Sequence, residues 1–172
     1  LAEGMTPGET IDVDAKTYTP MSSRAAAENL DAQVRRAVEQ GAELAAGGGL
    51  RDEASAYYAP AVLTGITSEM DAYREELFGP VAVVYRVSSD EEALRLANDT
   101  QYGLGGAVFS RDTARAQRLA EGLQVGMANV NTPAGEGPEI PFGGVKRSGF
   151  GRELGPLGMD EFVNKRMYYV AD

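Results

Sequence analysis

Apolar positions change their period along this chain, and the changes divide it into elements. Ser22 or Ser23 can cap a helix, because a hydroxyl accepts from the free N–H groups of a first turn. Behind them Ala26, Leu30, Val34, Ala37 and Val38 recur at steps of three or four, one apolar stripe of a helix. Arg35, Arg36, Glu39 and Gln40 lie near its end, and Gly41 is placed to stop it in a left-handed conformation. A short strand around Leu44 runs into the turn Gly47-Gly48-Gly49. Ala61 to Ile66, entered through Pro60, leans to β.

After Gly79-Pro80, the run Val81 to Val87 is almost continuously apolar, as a strand covered on both faces of a parallel sheet would be. Ser89 and Glu92 have capping-box spacing for a helix carrying Ala93, Leu94 and Ala97. Gly103 to Phe109 returns as a strand. A helix from about Asp112 to Gly122 uses Ala116, Leu119 and Leu123, and Gly126 to Asn131 is the next strand. Strand, helix, strand, helix, strand with short links is an α/β pattern: a parallel βαβ sheet with right-handed crossovers. The opening to Pro20 reads as an irregular connection, and Thr132 to Gly151 has no usable period. A structureless stretch of that length in a compact domain is usually functional or disordered, and Phe142 and Phe150 among its glycines favour function. Leu154 to Phe162 can form a short helix, and Met167 to Val170 a last strand that must join a sheet edge or another subunit's sheet.

Composition narrows the chemistry. The 172 residues, 43% of them hydrophobic, suffice for an ordinary globular core. No stretch approaches the roughly 18 apolar residues of a membrane span. The first residues carry neither a basic region nor an apolar run, so no secretory signal is visible and a cytoplasmic location is expected. The chain starts on Leu1 without a methionine, which reads as a fragment. A net charge of −10 repels nucleic acid and anionic membranes, so neither is expected as a partner. Lysines are confined to Lys16, Lys146 and Lys165. An acidic, lysine-poor surface suits a halophile, and a GC-rich genome gives the same composition. There is no cysteine and no histidine. That excludes disulfides, thiolate nucleophiles, Ser-His or Cys-His triads and the usual zinc ligand sets within the chain, so no metal site is expected.

Two segments remain as candidates for chemistry. In Glu75-Glu76-Leu77-Phe78-Gly79-Pro80 the carboxylates are either a solvated loop end or a group presented into a cleft beside a ring. A carboxylate suits the hydroxyl pair of a ribose, because it only accepts hydrogen bonds and can take two. The segment Pro141-Phe142-Gly143-Gly144-Val145-Lys146-Arg147-Ser148-Gly149-Phe150-Gly151-Arg152-Glu153 has glycines, a lysine and a serine but not the P-loop spacing, so nucleoside triphosphate binding is rejected. A third stretch, Leu96 to Leu104, reads as a helix end feeding a strand, with Asn98 and Asp99 in structural roles.

Together these segments, with Gly126-Met127 and Asn129-Val130-Asn131 between them, resemble the aldehyde dehydrogenase superfamily in order and spacing. Gln33-Val34, Gly41-Ala42, Gly47-Gly48 and Tyr58 to Leu63 fit the same pattern, and the resemblance spans nearly the whole chain. Lys146 to Leu154, followed by Gly158 and Glu161 to Lys165, is most similar to succinate-semialdehyde dehydrogenases of the NAD(P)-dependent type.

The resemblance implies the C-terminal part of a catalytic domain that oxidises an aldehyde substrate to an acid, with a cysteine nucleophile and glutamate base that family members carry upstream. It implies residues 1–160 as partial catalytic domain and 161–172 as an oligomerisation strand segment of a homo-oligomer. It implies NAD or NADP as cofactor, with Glu76 bonding the nicotinamide-side ribose and Phe78 packing beside the nicotinamide. Phe142 would line the aldehyde pocket. Glu153 would relay protons, or else partner Arg152 or backbone amides; Arg152 and glycines 143, 144, 149 and 151 are read as structural. One departure bears on the substrate: Ala134-Gly135-Glu136-Gly137-Pro138-Glu139 holds carboxylates where succinate-semialdehyde dehydrogenases often place a serine, and these would repel a carboxylate substrate unless an arginine intervenes. Lacking its cysteine, the chain alone is expected to be inactive; the alternative is a truncated, non-catalytic oligomerisation or binding module.

Overall fold

The computed structural model describes residues 2–8, 16–135 and 137–172, in two compact units, Leu1–Arg86 and Val87–Asp172. Part of the opening connection (residues 9–15) and Glu136 lie outside the described residues. On either side of 9–15, β1 (Thr6–Pro7) pairs in parallel with β2 (Thr17–Tyr18).

In the first unit, α1 (Arg24–Glu39) starts where Ser23 Oγ accepts from the Ala26 amide at 3.1 Å, so the cap is Ser23. Gly41, at φ +111°, follows its end. The buried stripe is Ala27, Leu30, Val34 and Ala37, while Val38 is exposed and Ala26 only half-buried. The stripe is thus rotated slightly from the expected one, and the buried Asp31 is held by Arg35 one turn on at 2.7 Å. α1 packs on a three-stranded sheet of β3 (Glu43–Gly47), β4 (Ala61–Thr64) and β5 (Val81–Val83), in that order. β3 and β4 are antiparallel; β4 and β5 are parallel. Tyr58, Leu30 and Leu63 are the largest fully buried side chains of this core. Burial of Leu30 and of Leu63 contributes about 1.5–3 kcal/mol each. The turn between β3 and β4 requires glycine at position 47, where φ is +62° and a Cβ would lie 1.7 Å from the Pro60 carbonyl oxygen.

The apolar run after Pro80 is shorter as a strand than its sequence suggests. β5 ends at Val83, and Ala82, Val84, Tyr85 and Val87 are exposed. Its parallel pairing agrees with the expectation; the cover on both faces does not, because α1 and its sheet provide apolar neighbours on one side only, for Val81 and Val83.

The second unit holds α2 (Asp90–Asn98), β6 (Tyr102–Gly103), β7 (Gly105–Val108), α3 (Thr113–Glu121), β8 (Met127–Val130), β9 (Val145–Lys146) and α4 (Gly155–Asp160). Ser89 Oγ caps α2 by accepting from the Glu92 amide, but Glu92 reaches back to Ser88 N and Oγ (2.8 and 2.7 Å). The box therefore closes one residue earlier than its spacing implies. β7, α3 and β8 form a parallel βαβ unit in register Gly105↔Met127 to Val108↔Val130. The expected three-strand parallel series is not one ladder: β5 bonds to β4, and β7 bonds to β8. The expected strand from Gly103 also splits at Leu104, since β6 turns to pair with β9 in antiparallel fashion. Among the described residues of this unit, the buried apolar side chains are only Ala116 and Ala120. Met167 to Val170 have no strand partner among the described residues and are exposed. No helix among them is long and apolar enough to cross a membrane.

Candidate functional site

In the first unit the two adjacent carboxylates are treated differently. Arg36, on the exposed side of α1, places one Nη between both oxygens of Glu75, at 2.8 and 2.7 Å, and its Nε on Asp71 at 2.9 Å. Gln33, one turn earlier, donates to Glu75 Oε2 and to the Glu76 carbonyl, each at 3.3 Å. The Glu76 carboxylate has no hydrogen bond or ion pair among the described residues and is exposed. Leu77 turns inward onto the hydrophobic core, and Phe78 is 78% exposed. Gly79 follows because a Cβ there would stand 2.4 Å from Leu30 Cδ2 on α1. Leu77 packs inward and Gly79 lies against α1, while the side chains of Glu76, just before Leu77, and of Phe78, between Leu77 and Gly79, are exposed. An unpaired carboxylate suits the polyhydroxyl part of a nucleotide, and an exposed ring two residues on suits its planar part.

In the second unit the glycine-rich stretch is pinned at several points. Phe142 and Glu153 face each other as an antiparallel bridge, exchanging N–H···O bonds of 2.8 and 2.7 Å. Arg152 Nη1 donates to the Gly144 carbonyl at 3.0 Å and to the Gly151 carbonyl at 2.6 Å. Lys146 Nζ donates to the Asn98 and Thr100 carbonyls at the end of α2, and Ser148 Oγ accepts from the Gly103 amide at 3.0 Å. Asn98 spans to the loop after α3, donating to Gly122 O at 2.9 Å and accepting from Gln124 N at 2.7 Å. Lys146 and Arg152 are therefore spent on backbone carbonyls, Arg147 on the Gln101 side chain, and the Asn98 amide on the Gly122 carbonyl and the Gln124 N–H, contacts that fit the structural roles expected of Asn98 and Arg152.

Phe142 is partly exposed and Glu153 exposed; both line an open cavity of about 650 Å³ with Leu104, Phe150 and Met159. The Glu153 carboxylate has no partner among the described residues, and Arg152 turns to carbonyls, so Glu153 is not a buried counter-ion. The structure brings Phe142 and Glu153 together across a backbone bridge and on one cavity, whereas Glu76 and Phe78 share only one exposed stretch of chain, two residues apart.

Sequence reasoning missed the anchoring trio Gln33, Arg36 and Gln40. Gln40 completes it by donating to Asp71 Oδ2 at 3.1 Å and accepting from the Asp71 amide at 3.0 Å. The available signal was their spacing of three and four, which puts three polar residues on one helix face.

The sequence model of the aldehyde dehydrogenase family matches residues 2–168. The chain belongs to the aldehyde dehydrogenase family. Among curated relatives, the succinate-semialdehyde dehydrogenase [NADP(+)] of Deinococcus radiodurans is 53% identical over 161 residues, covering 94% of this chain and 34% of that protein. The crystal structure of succinic semialdehyde dehydrogenase from Streptococcus pyogenes, in complex with NADP+, superposes with a TM-score of 0.85 at 40% identity, over 93% of this chain and 35% of the other. Betaine aldehyde dehydrogenase from Staphylococcus aureus, in complex with NAD+, gives a TM-score of 0.80 at 38% identity, over 87% and 31%. The chain spans about a third of the length of the relatives that it matches. The α/β architecture with mixed sheets is that of this family.

Proposed function

We propose that the chain acts as the C-terminal part of a longer NAD(P)-dependent aldehyde dehydrogenase that oxidises a semialdehyde to its acid. The observation that carries this reading is the unequal fate of Glu75 and Glu76: one carboxylate is consumed by Arg36 and Gln33, and its neighbour is left free, two residues before the exposed ring of Phe78. In this reading Glu76 accepts from the nicotinamide-side ribose hydroxyls and Phe78 packs beside the nicotinamide. The nucleotide, when bound, supplies a hydride acceptor. Phe142 forms an apolar wall that excludes water from the aldehyde. Glu153, unpaired on the same cavity, takes part in proton relay, and the glycine loop and Arg152 hold these two in register.

The nucleophile must come from outside this chain, which has no cysteine. A thiolate nucleophile also suits a reducing cytoplasm. The near-absence of buried apolar side chains in the second unit supports a larger protein around it, since extensive uncovered apolar surface marks an interface. Residues 1–160 then belong to the catalytic domain. Residues 161–172, with Phe162, Met167, Tyr168 and Tyr169 largely exposed, form the oligomerisation segment of a homo-oligomer.

Similarity to succinate-semialdehyde dehydrogenase favours a semialdehyde with a distal carboxylate; Glu139, exposed in the loop before Pro141, opposes one. A kinetic panel on the full-length enzyme decides between substrates. Succinate semialdehyde, betaine aldehyde and a neutral short aldehyde are each followed by the absorbance of reduced nicotinamide. Highest kcat/KM for succinate semialdehyde upholds the substrate class; preference for the neutral or cationic aldehyde overturns it. Absence of nicotinamide reduction with all three overturns the enzyme reading in favour of a non-catalytic module.

A further inference from the structure

We infer that Arg36 is a positioning residue for the nucleotide: it acts through Glu75 to hold the Glu76 carboxylate where it can grip a ribose. The inference rests on the cofactor role given to Glu76 above.

The geometry is that of a clamp along one face of α1. Gln33, Arg36 and Gln40 stand at i, i+3 and i+7, one above another on the helix. Each holds the segment that precedes Glu76: Gln40 takes the amide and carboxylate of Asp71, Arg36 takes the carboxylates of Asp71 and Glu75, and Gln33 takes Glu75 and the carbonyl of Glu76 itself. The short 3₁₀ turn Asp71–Tyr73 and the residues after it are therefore fixed at successive points up to the residue whose side chain is free.

Stability is a poor reason for such a network. Its ion pairs are partly exposed, with Arg36 and Glu75 side chains each 38% accessible, and solvent screening leaves pairs of that kind little net stabilising effect. Orientation is a better reason. Glu76 sits in irregular backbone, with no ladder to define its direction. A carboxylate that must meet two vicinal hydroxyls loses affinity if its backbone wanders, because ordering it then falls on the binding step. Guanidinium suits the task better than ammonium, since its planar fork can meet Asp71 through Nε and Glu75 through Nη at once.

The test is a double-mutant cycle in the full-length enzyme, reading KM for NAD(P), KM for the aldehyde, kcat and the thermal midpoint. Arg36→Ala is expected to raise the nucleotide KM by about tenfold, the mark of lost binding energy common to ground and transition states, with the aldehyde KM unchanged. Glu75→Gln, which keeps the side chain's shape, is expected to do the same in part. Arg36→Lys should recover some affinity, but not all. The deciding arm is Arg36→Ala in a Glu76→Ala background, where it should have no further effect on nucleotide KM. An effect of Arg36→Ala that adds fully to that of Glu76→Ala, or a lowered thermal midpoint with unchanged nucleotide KM, would overturn the inference. If Glu76→Ala alone raises nucleotide KM and neither Arg36→Ala nor Glu75→Gln does, this inference fails and the role of Glu76 stands. If Glu76→Ala leaves nucleotide KM unchanged, both fail. Should Arg36→Ala not fold, the same cycle run with Glu75→Gln decides between these outcomes.

Discussion

Phe142 and Glu153 lie directly opposite one another, each donating its amide to the other's carbonyl at 2.8 and 2.7 Å. Because the bridge is made by backbone alone, either side chain can be changed without removing it. Phe142→Ala in the full-length enzyme should raise the aldehyde KM by about tenfold, the scale of lost apolar contact in a pocket, and leave the nucleotide KM as it was. Glu153→Gln should lower kcat and alter the pH–rate profile, by less than the roughly 10²–10⁴-fold of a group that itself transfers the proton. Equal kinetics for wild type and both variants would remove these residues from the pocket.

Close backbone approach sets a second expectation. A Cβ on Gly126 would stand 1.9 Å from the Gly143 carbonyl oxygen, at the point where the glycine-rich segment crosses the entry to β8. Gly126→Ala must push that segment away, so a loss of about 1–3 kcal/mol is expected, as for overpacking in general. Denaturant unfolding checks it. A midpoint within error of wild type would mean that the segment is not held there.

Acid should loosen the second unit. Asp90 accepts from Nε of Arg115 at 2.7 Å and from its Nη2, tying the start of α2 to α3, and this bond holds the Asp90 carboxyl below its ordinary value of 3.8. Glu92 is lowered likewise by the Ser88 amide and hydroxyl. A folded-state pKa below the unfolded one adds stability that is fully present above the unfolded value and is lost as pH falls through the folded value. Stability measured by denaturant midpoint should therefore hold above about pH 5 and fall below about pH 4. Asp90→Asn should flatten that fall. An unchanged slope in Asp90→Asn would mean that the pair does not form.

Amide exchange should divide the chain in two. α1, β3 and β4 surround the buried Leu30, Tyr58 and Leu63, whereas α2 has no buried residue and α3 buries only Ala116 and Ala120. Regions with few buried apolar contacts open at lower free energy. Mass-detected exchange on this chain alone should show slow amides in α1 and β4 and fast ones in α2 and α4. Uniform protection would show that the second unit is stable without further cover.

Where burial follows period, the elements were legible in the sequence. α1 and α3, the α1 cap (at Ser23, one of the two serines that the pattern offered) and β8 appear close to where the pattern puts them. What could not be read are facts of partnership. The strand expected over Gly103 to Phe109 divides because Gly103 pairs with Val145, far away in sequence, and Gly105 to Val108 pair with Met127 to Val130. The run after Pro80 reads as doubly covered, yet only its Val81 and Val83 pack on the core of the first unit while Ala82, Val84 and Val87 are exposed, because which face is covered is set by partners and not by period. At the site, motif order pointed to Glu76, Phe78, Phe142 and Glu153. Motif order could not say that Glu75 is spent on Arg36, since that depends on the register between α1 and a turn some forty residues later.

In the proposed reading, Glu76 is the nicotinamide-side carboxylate and Phe142 an aldehyde-pocket wall of an enzyme whose nucleophile lies outside this chain. Parallel assays of nicotinamide reduction, on the full-length enzyme and on this chain alone, test it most directly. Aldehyde-dependent reduction is expected from the full-length enzyme, lost in its Glu76→Ala variant at low nucleotide, and none from the chain alone. Aldehyde-dependent reduction by the chain alone would contradict that reading.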